Sequence, residues 1–195
     1  MEYRMETSER VEYWEDWEKV KRIWFEHGEE RSWYGSGNGP WYYIYIDDQP
    51  ALAVRSSEVL FFHDWLVTGD FPESGYLYPS RYYNGVHAIS LRDYQADHSE
   101  VKSIEVEGYF DSFKVDRDVL YVFCMHDVMA FDGNLNLLWK TGKLSEDGVV
   151  FKYIEGDTMT VECTAEPMSE KWFDHTISLL DGSSLNESTD SKPYR

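Results

Sequence analysis

Beyond Trp41, apolar and polar positions alternate in short runs broken every few residues by turn formers. Trp41–Ile46, Ala51–Arg55 and Glu58–Phe62 are three such runs. Asp47-Asp48-Gln49-Pro50 and Ser56-Ser57 separate them. The stretch 66–85 holds Gly69, Pro72, Gly75, Pro79 and Gly85, and reads as a long surface loop or lid. Four strands follow: Ser112–Val115, Val119–Phe123, Asp127–Phe131 and Leu135–Lys140. The turns between them are Asp116-Arg117-Asp118, Met125-His126 and Asp132-Gly133-Asn134, so an antiparallel meander is predicted. Its core should contain Val119, Tyr121, Phe123, Val128, Ala130, Phe131, Leu138 and Trp139.

The N-terminal pattern has a different period. Ser8 is a natural N-cap, and Glu9 to His27 contains neither Gly nor Pro. Val11, Trp14, Trp17, Val20, Trp24 and Phe25 recur mostly at three- and four-residue steps, and Gly28 follows as a stop. An amphipathic helix over 8–27 is predicted. The chain then divides into an N-terminal helix docked on the domain (1–30), a β domain of repeated meanders (31–186) and a flexible polar tail (187–195).

The β region compares with itself. Val86-His87-Ala88-Ile89 matches Val128-Met129-Ala130-Phe131, and Phe131-Asp132-Gly133 matches Leu180-Asp181-Gly182. Spacings of about 40–50 residues with four strands per unit are those of propeller blades. Leu120-Tyr121-Val122, then Val128 to Gly133, then Leu137-Leu138-Trp139-Lys140-Thr141-Gly142 resembles a blade of the PQQ-type and related bacterial propellers. Residues 148–185 look like a second, looser copy, with strands at Gly148–Ile154, Thr158–Thr164 and Phe173–Leu180. The resemblance spans roughly 85–185. It implies a mainly β fold of antiparallel propeller-blade-like meanders, arranged as a small propeller, an open stack or a twisted sheet. The family's cofactor residues are not evident, so no cofactor is expected.

Composition narrows the function classes. The 37 acidic and 18 basic residues give a net charge of −19, which repels phosphate backbones and anionic lipid. Nucleic acid and membranes are therefore not expected partners. The start, Met1-Glu2-Tyr3-Arg4-Met5-Glu6, has no apolar signal region, and no apolar run is long enough to span a bilayer. A cytoplasmic location is expected. Cys124 and Cys163 lie in apolar runs and read as buried thiols.

Candidate chemistry is sparse. The glycine-rich stretch 33–40 leads into a strand and has no Lys, unlike a phosphate cradle. His63-Asp64 and His126-Asp127 are candidate base-orienter pairs but are unsuited to pairing from a strand or a turn. Asp93, Asp97 and His98 lie in a polar loop, and Asp116 and Asp118 flank a turn. A hard cation such as calcium could use such oxygens, but no ordered calcium loop, zinc-spaced Cys pair or His-Glu-x-x-His is present. No catalytic, cofactor or metal residue is assigned.

Two functional readings remain. In the first, the chain is a non-catalytic acidic protein that binds a basic protein partner. In size and charge it is similar to the small acidic immunity proteins of bacteria. Asp93, Asp97, Glu100, Asp116, Asp118, Glu146 and Asp147 would form one negative rim, because alternate turns of a meander emerge at the same end. In the second, Trp and Tyr stack a glycan and carboxylates hydrolyse it.

Overall fold

The computed structural model describes residues 1–8, 21–26, 29–32, 40–69, 85–92, 94, 100–168 and 170–185, and every element among them is a strand. The chain divides into two compact units, Met1–Phe110 and Asp111–Arg195.

The first unit contains two sheets. Strands β1 (Tyr3–Ser8), β4 (Trp41–Ile46), β5 (Gln49–Arg55), β2 (Lys21–Glu26) and β3 (Glu29–Ser32) form one in that order. Its pairs are antiparallel except β2 with β5, which is parallel. The second sheet is a four-stranded antiparallel meander: β6 (Glu58–Phe62), β7 (Trp65–Gly69), β8 (Gly85–Ser90) and β9 (Val101–Glu105). Alternation along β4 and β5 sends side chains to two faces. Ile44, Leu52 and Val54 pack with Val59, Leu66, Ile89 and Leu91 of the meander and its flank. Tyr43, Tyr45 and Ala53 pack on the opposite face.

The second unit repeats the meander logic. Strands β10 (Phe110–Asp116), β11 (Val119–Cys124), β12 (Val128–Phe131) and β13 (Leu137–Lys140) lie in sequence order in one sheet. Strands β14 (Val149–Glu155), β15 (Thr158–Thr164) and β16 (Trp172–Ser178) form a three-stranded antiparallel sheet. The two sheets share one core. Tyr121, Phe123, Val128, Ala130 and Trp139 come from the first, and Val149, Met159, Val161, Cys163 and Ile177 from the second. Trp139 donates its indole N–H to the Leu179 carbonyl at 2.9 Å. Gly182, at φ +71°, lies flat on the same ring, and a Cβ there would stand 2.6 Å from Trp139 Cε3. The match between Val86–Ile89 and Val128–Phe131 falls on the third strand of each four-stranded meander.

Several sequence expectations need correction. Ser8 ends a strand instead of capping a helix, and Lys21–Glu26 is β2. Residues 9–20 and 27 of the expected helix lie outside the described residues. The register Lys21↔Leu52, Arg22↔Ala53, Ile23↔Val54 sets β2 beside a strand whose residues there are fully buried. Pairing with that buried strand outweighs a local helical period. The expected loop 66–85 begins with strand β7, buried at every position, and residues 70–84 lie outside the described residues. A strand buried on both faces shows no alternation, so the glycines and prolines beyond it dominated its pattern. Leu138 is exposed, not core. β13 bulges against β12, with Ala130 opposite Trp139 and Phe131 opposite Leu137, so Leu138 is the extra residue and faces solvent. The glycine-rich residues 33–39 and the tail 187–195 lie outside the described residues. No helix among the described residues is long and apolar enough to cross a membrane.

Candidate functional site

The acids expected to form one rim do not do so in the second unit. Asp116 and Asp118 flank the β10–β11 turn, where Arg117 and Asp118 adopt φ of 46° and 60°. Arg117 ties this turn to the β14–β15 turn, donating to the Gly156 carbonyl at 2.6 Å and meeting Asp157 at 3.2 Å. Glu146 and Asp147 sit at the other end of the sheet. There Leu144 N–H donates to the His126 carbonyl at 2.8 Å, and Gly148 N–H to the Met125 carbonyl at 2.9 Å. The reason is topological. β13 runs back toward the β11–β12 turn, so the segment after it emerges opposite the β10–β11 turn. In the first unit Glu100 is exposed just before β9, while Asp93 and Asp97 lie outside the described residues.

The buried polar groups are structural in their contacts. Asp127 is 1% exposed and meets Lys140 Nζ at 3.1 Å. Cys124 lies beside it, and burial, then the Asp127 charge, push its thiol far above the usual range. Burial alone pushes Cys163 up to about 12. Both therefore stay protonated and are poor nucleophiles. Ser145 Oγ accepts the Thr164 N–H at 2.9 Å and lies 3.2 Å from Thr164 Oγ1, closing the same end of the unit.

The His-Asp neighbours face apart. His126 Nδ1 lies 2.9 Å from the Ser145 carbonyl, whereas Asp127 meets Lys140. His63 adopts φ of 52° in the β6–β7 turn. Asp64 accepts from Arg92 at 2.6 Å and from the Tyr3 hydroxyl at 3.0 Å. The Arg92 and Tyr3 hydrogen bonds hold the Asp64 carboxyl below its usual range. Burial, followed by Asp64, pushes Tyr3 up to about 12. This knot ties β1 to the β6–β7 turn. Among the described residues, no three His, Cys, Asp or Glu side chains converge as a metal set.

The feature missed in the sequence is the outer face of the last sheet. The register places Val150, Glu162 and Asp174 in one row across β14, β15 and β16, and Tyr153, Thr160 and Thr176 in the next. Thr164 and Trp172 form a third row on that face. A bulge between Phe151 and Tyr153 leaves Lys152 as the extra residue. Lys152 Nζ reaches Glu162 at 3.0 Å and Asp174 at 2.8 Å. Around this ion triad Val150, Tyr153 and Trp172 remain 38%, 49% and 43% exposed.

No protein-family model matches the chain, and no curated protein matches its sequence.

Proposed function

We propose that the chain is a non-catalytic acidic binding protein of the cytoplasm, an inhibitor or immunity-type protein that neutralises a basic protein partner. One observation carries this reading: an excess of 19 negative charges coexists with exposed Val150, Tyr153 and Trp172 gathered on one sheet face. The two features divide the labour of recognition. Long-range charge speeds the encounter with a cationic surface, and exposed aromatic side chains supply short-range adhesion. The meanders read as propeller-type blades. The shared sequential antiparallel order and the match between third strands support that reading.

The test is a panel of cationic nucleases titrated with the full chain, with residual nuclease activity as the readout. Stoichiometric inhibition of at least one is expected. Its association should slow as salt rises from about 0.01 to 0.1 M, over which the screening length falls from about 30 to 10 Å. Absence of any inhibition, together with oligosaccharide binding that Trp172→Ala abolishes, would replace this reading with the glycan-binding one.

A further inference from the structure

Resting on the binding reading above, the geometry points to the outer face of β14–β15–β16 as the docking surface for a cationic protein segment. An Arg or Lys of that segment takes the place of Lys152 between Glu162 and Asp174.

Lys152 is not part of the regular pleat. As the extra residue of the bulge it crosses the outer face and joins carboxylates on two further strands. The structure thus holds two carboxylates arranged around one cation, and that cation is the chain's own. The contact faces water: the Lys152, Glu162 and Asp174 side chains are 33%, 37% and 55% exposed. Ion pairs this exposed contribute little stability, so the resident cation is exchangeable. An incoming guanidinium presents a planar fork of donors that suits carboxylates better than an ammonium does.

The surroundings select the partner. Val150, Tyr153 and Trp172 supply apolar and aromatic contact beside the carboxylates, the mixture found in interface cores. Glu155 lies on the same face, and the connection before β16 carries Glu166 and Glu170 against Lys171. The field at the face is negative. A second copy of the chain would bring another −19 charges and is repelled, as are nucleic acid and anionic membranes. A cationic segment with apolar neighbours fits both the charge and the aromatic surface.

The experiment measures fluorescence anisotropy of a labelled peptide that alternates Arg and Val, titrated with the full chain at low salt. Variants are compared only after their melting curves match that of the unmodified chain. Lys152→Met removes the competing cation and should tighten binding about tenfold, and Tyr153→Ala with Trp172→Ala should weaken it about tenfold or more. Asp118→Asn, on the β10–β11 turn, should leave affinity within about twofold. Peptide binding that ignores Lys152→Met and the aromatic pair but falls with Asp118→Asn would overturn this face and leave the binding reading standing. Absence of salt-sensitive binding by the unmodified chain, with no nuclease in the panel inhibited, would overturn both.

Discussion

Met1–Phe110 holds 21 acidic and 10 basic residues, and Asp111–Arg195 holds 16 and 8, so the two units carry nearly the same charge for their lengths. Their exposed apolar side chains differ. Among the described residues, Met1 is the one large hydrophobic exposed in the first unit. The second exposes Val115, Leu137, Leu138, Val150, Tyr153, Met168, Trp172, Phe173, Leu180 and Leu185. The units also treat buried ionisable groups differently. The first buries His87 beside the Ser103 hydroxyl, whereas the second buries Asp127 with Lys140 against it. Evenly spread charge is what solvation alone would produce. Among the described residues, exposed apolar side chains gather in the second unit, which is a stronger pointer to recognition.

The largest expected effect comes from cutting the second unit's core. Phe123 is fully buried in the cluster shared by its two sheets and meets Phe151 edge-on at 5.7 Å. Phe123→Ala should cost about 3–5 kcal/mol in urea unfolding, from lost transfer energy and the cavity left behind. Hydrogen exchange sharpens the comparison. Protection should fall in β11, β12, β14 and β15 and hold in β4, β5 and β7. An equal loss in both units would mean that they open together and that the division between them has no energetic content.

The meander of β10 to β13 was legible because its turn residues sit at hairpin spacing and its strands are short. Asp116-Arg117-Asp118 and Asp132-Gly133-Asn134 mark their turns directly, and Tyr121, Phe123, Val128 and Ala130 fall in the core as patterned. Two bulges hid the rest. At β13 the extra residue moved Leu138 to solvent. At β14, simple alternation puts Phe151 and Tyr153 on one face. The extra Lys152 turns Phe151 inward and Tyr153 outward, so the candidate face had no readable period. Bulges depend on pairing partners and leave little trace in one strand's own sequence. The segment Lys21–Glu26 failed for a related reason: its conformation is set by β5, about thirty residues later in the chain. Within the second unit, Asp116 and Asp118 fall at the end opposite Glu146 and Asp147 because charge says nothing about which end of a sheet a turn occupies.

The second prediction sets the buried histidine of the first unit against the buried ion pair of the second. His87 is 2% exposed, with Nδ1 3.1 Å from the Ser103 hydroxyl and Nε2 close against Gly85. Burial lowers its pKa from 6.5 to about 4. The unfolded chain then binds a proton that the folded chain refuses between those values, so stability falls as pH drops from about 6.5 toward 4 and levels off below. The loss approaches about 3 kcal/mol at the lower end. Urea midpoints of the unmodified chain and of His87→Leu across that range are the measurement. The variant should lose this part of the pH slope, and exchange in β7 to β9 should rise first on acidification. A slope unchanged by His87→Leu would assign the acid sensitivity to carboxylates.

The smallest effect separates two turns of the same shape. Asp47 and Asp48 join β4 to β5 with φ of 48° and 61°, and Arg117 and Asp118 join β10 to β11 with 46° and 60°. Both are left-handed positions of a two-residue hairpin turn, where glycine is unstrained and other residues cost about 1–2 kcal/mol. Part of that cost returns in the unfolded state, where glycine has more freedom to lose. Asp118→Gly should therefore stabilise the second unit by about 0.5–1 kcal/mol, helped by removal of one acid from a chain of net charge −19. Asp47→Gly should gain almost nothing. The Asp47 carboxylate accepts the Glu2 backbone N–H at 2.8 Å, and losing that bond costs about 0.5–1.5 kcal/mol, which offsets the relief of strain. The two urea midpoints should thus move by different amounts although the backbone angles agree within a few degrees. Equal gains would mean that the bond holding the chain start to the β4–β5 turn contributes nothing. A loss at Asp118→Gly would mean that its carboxylate has a stabilising role at that turn.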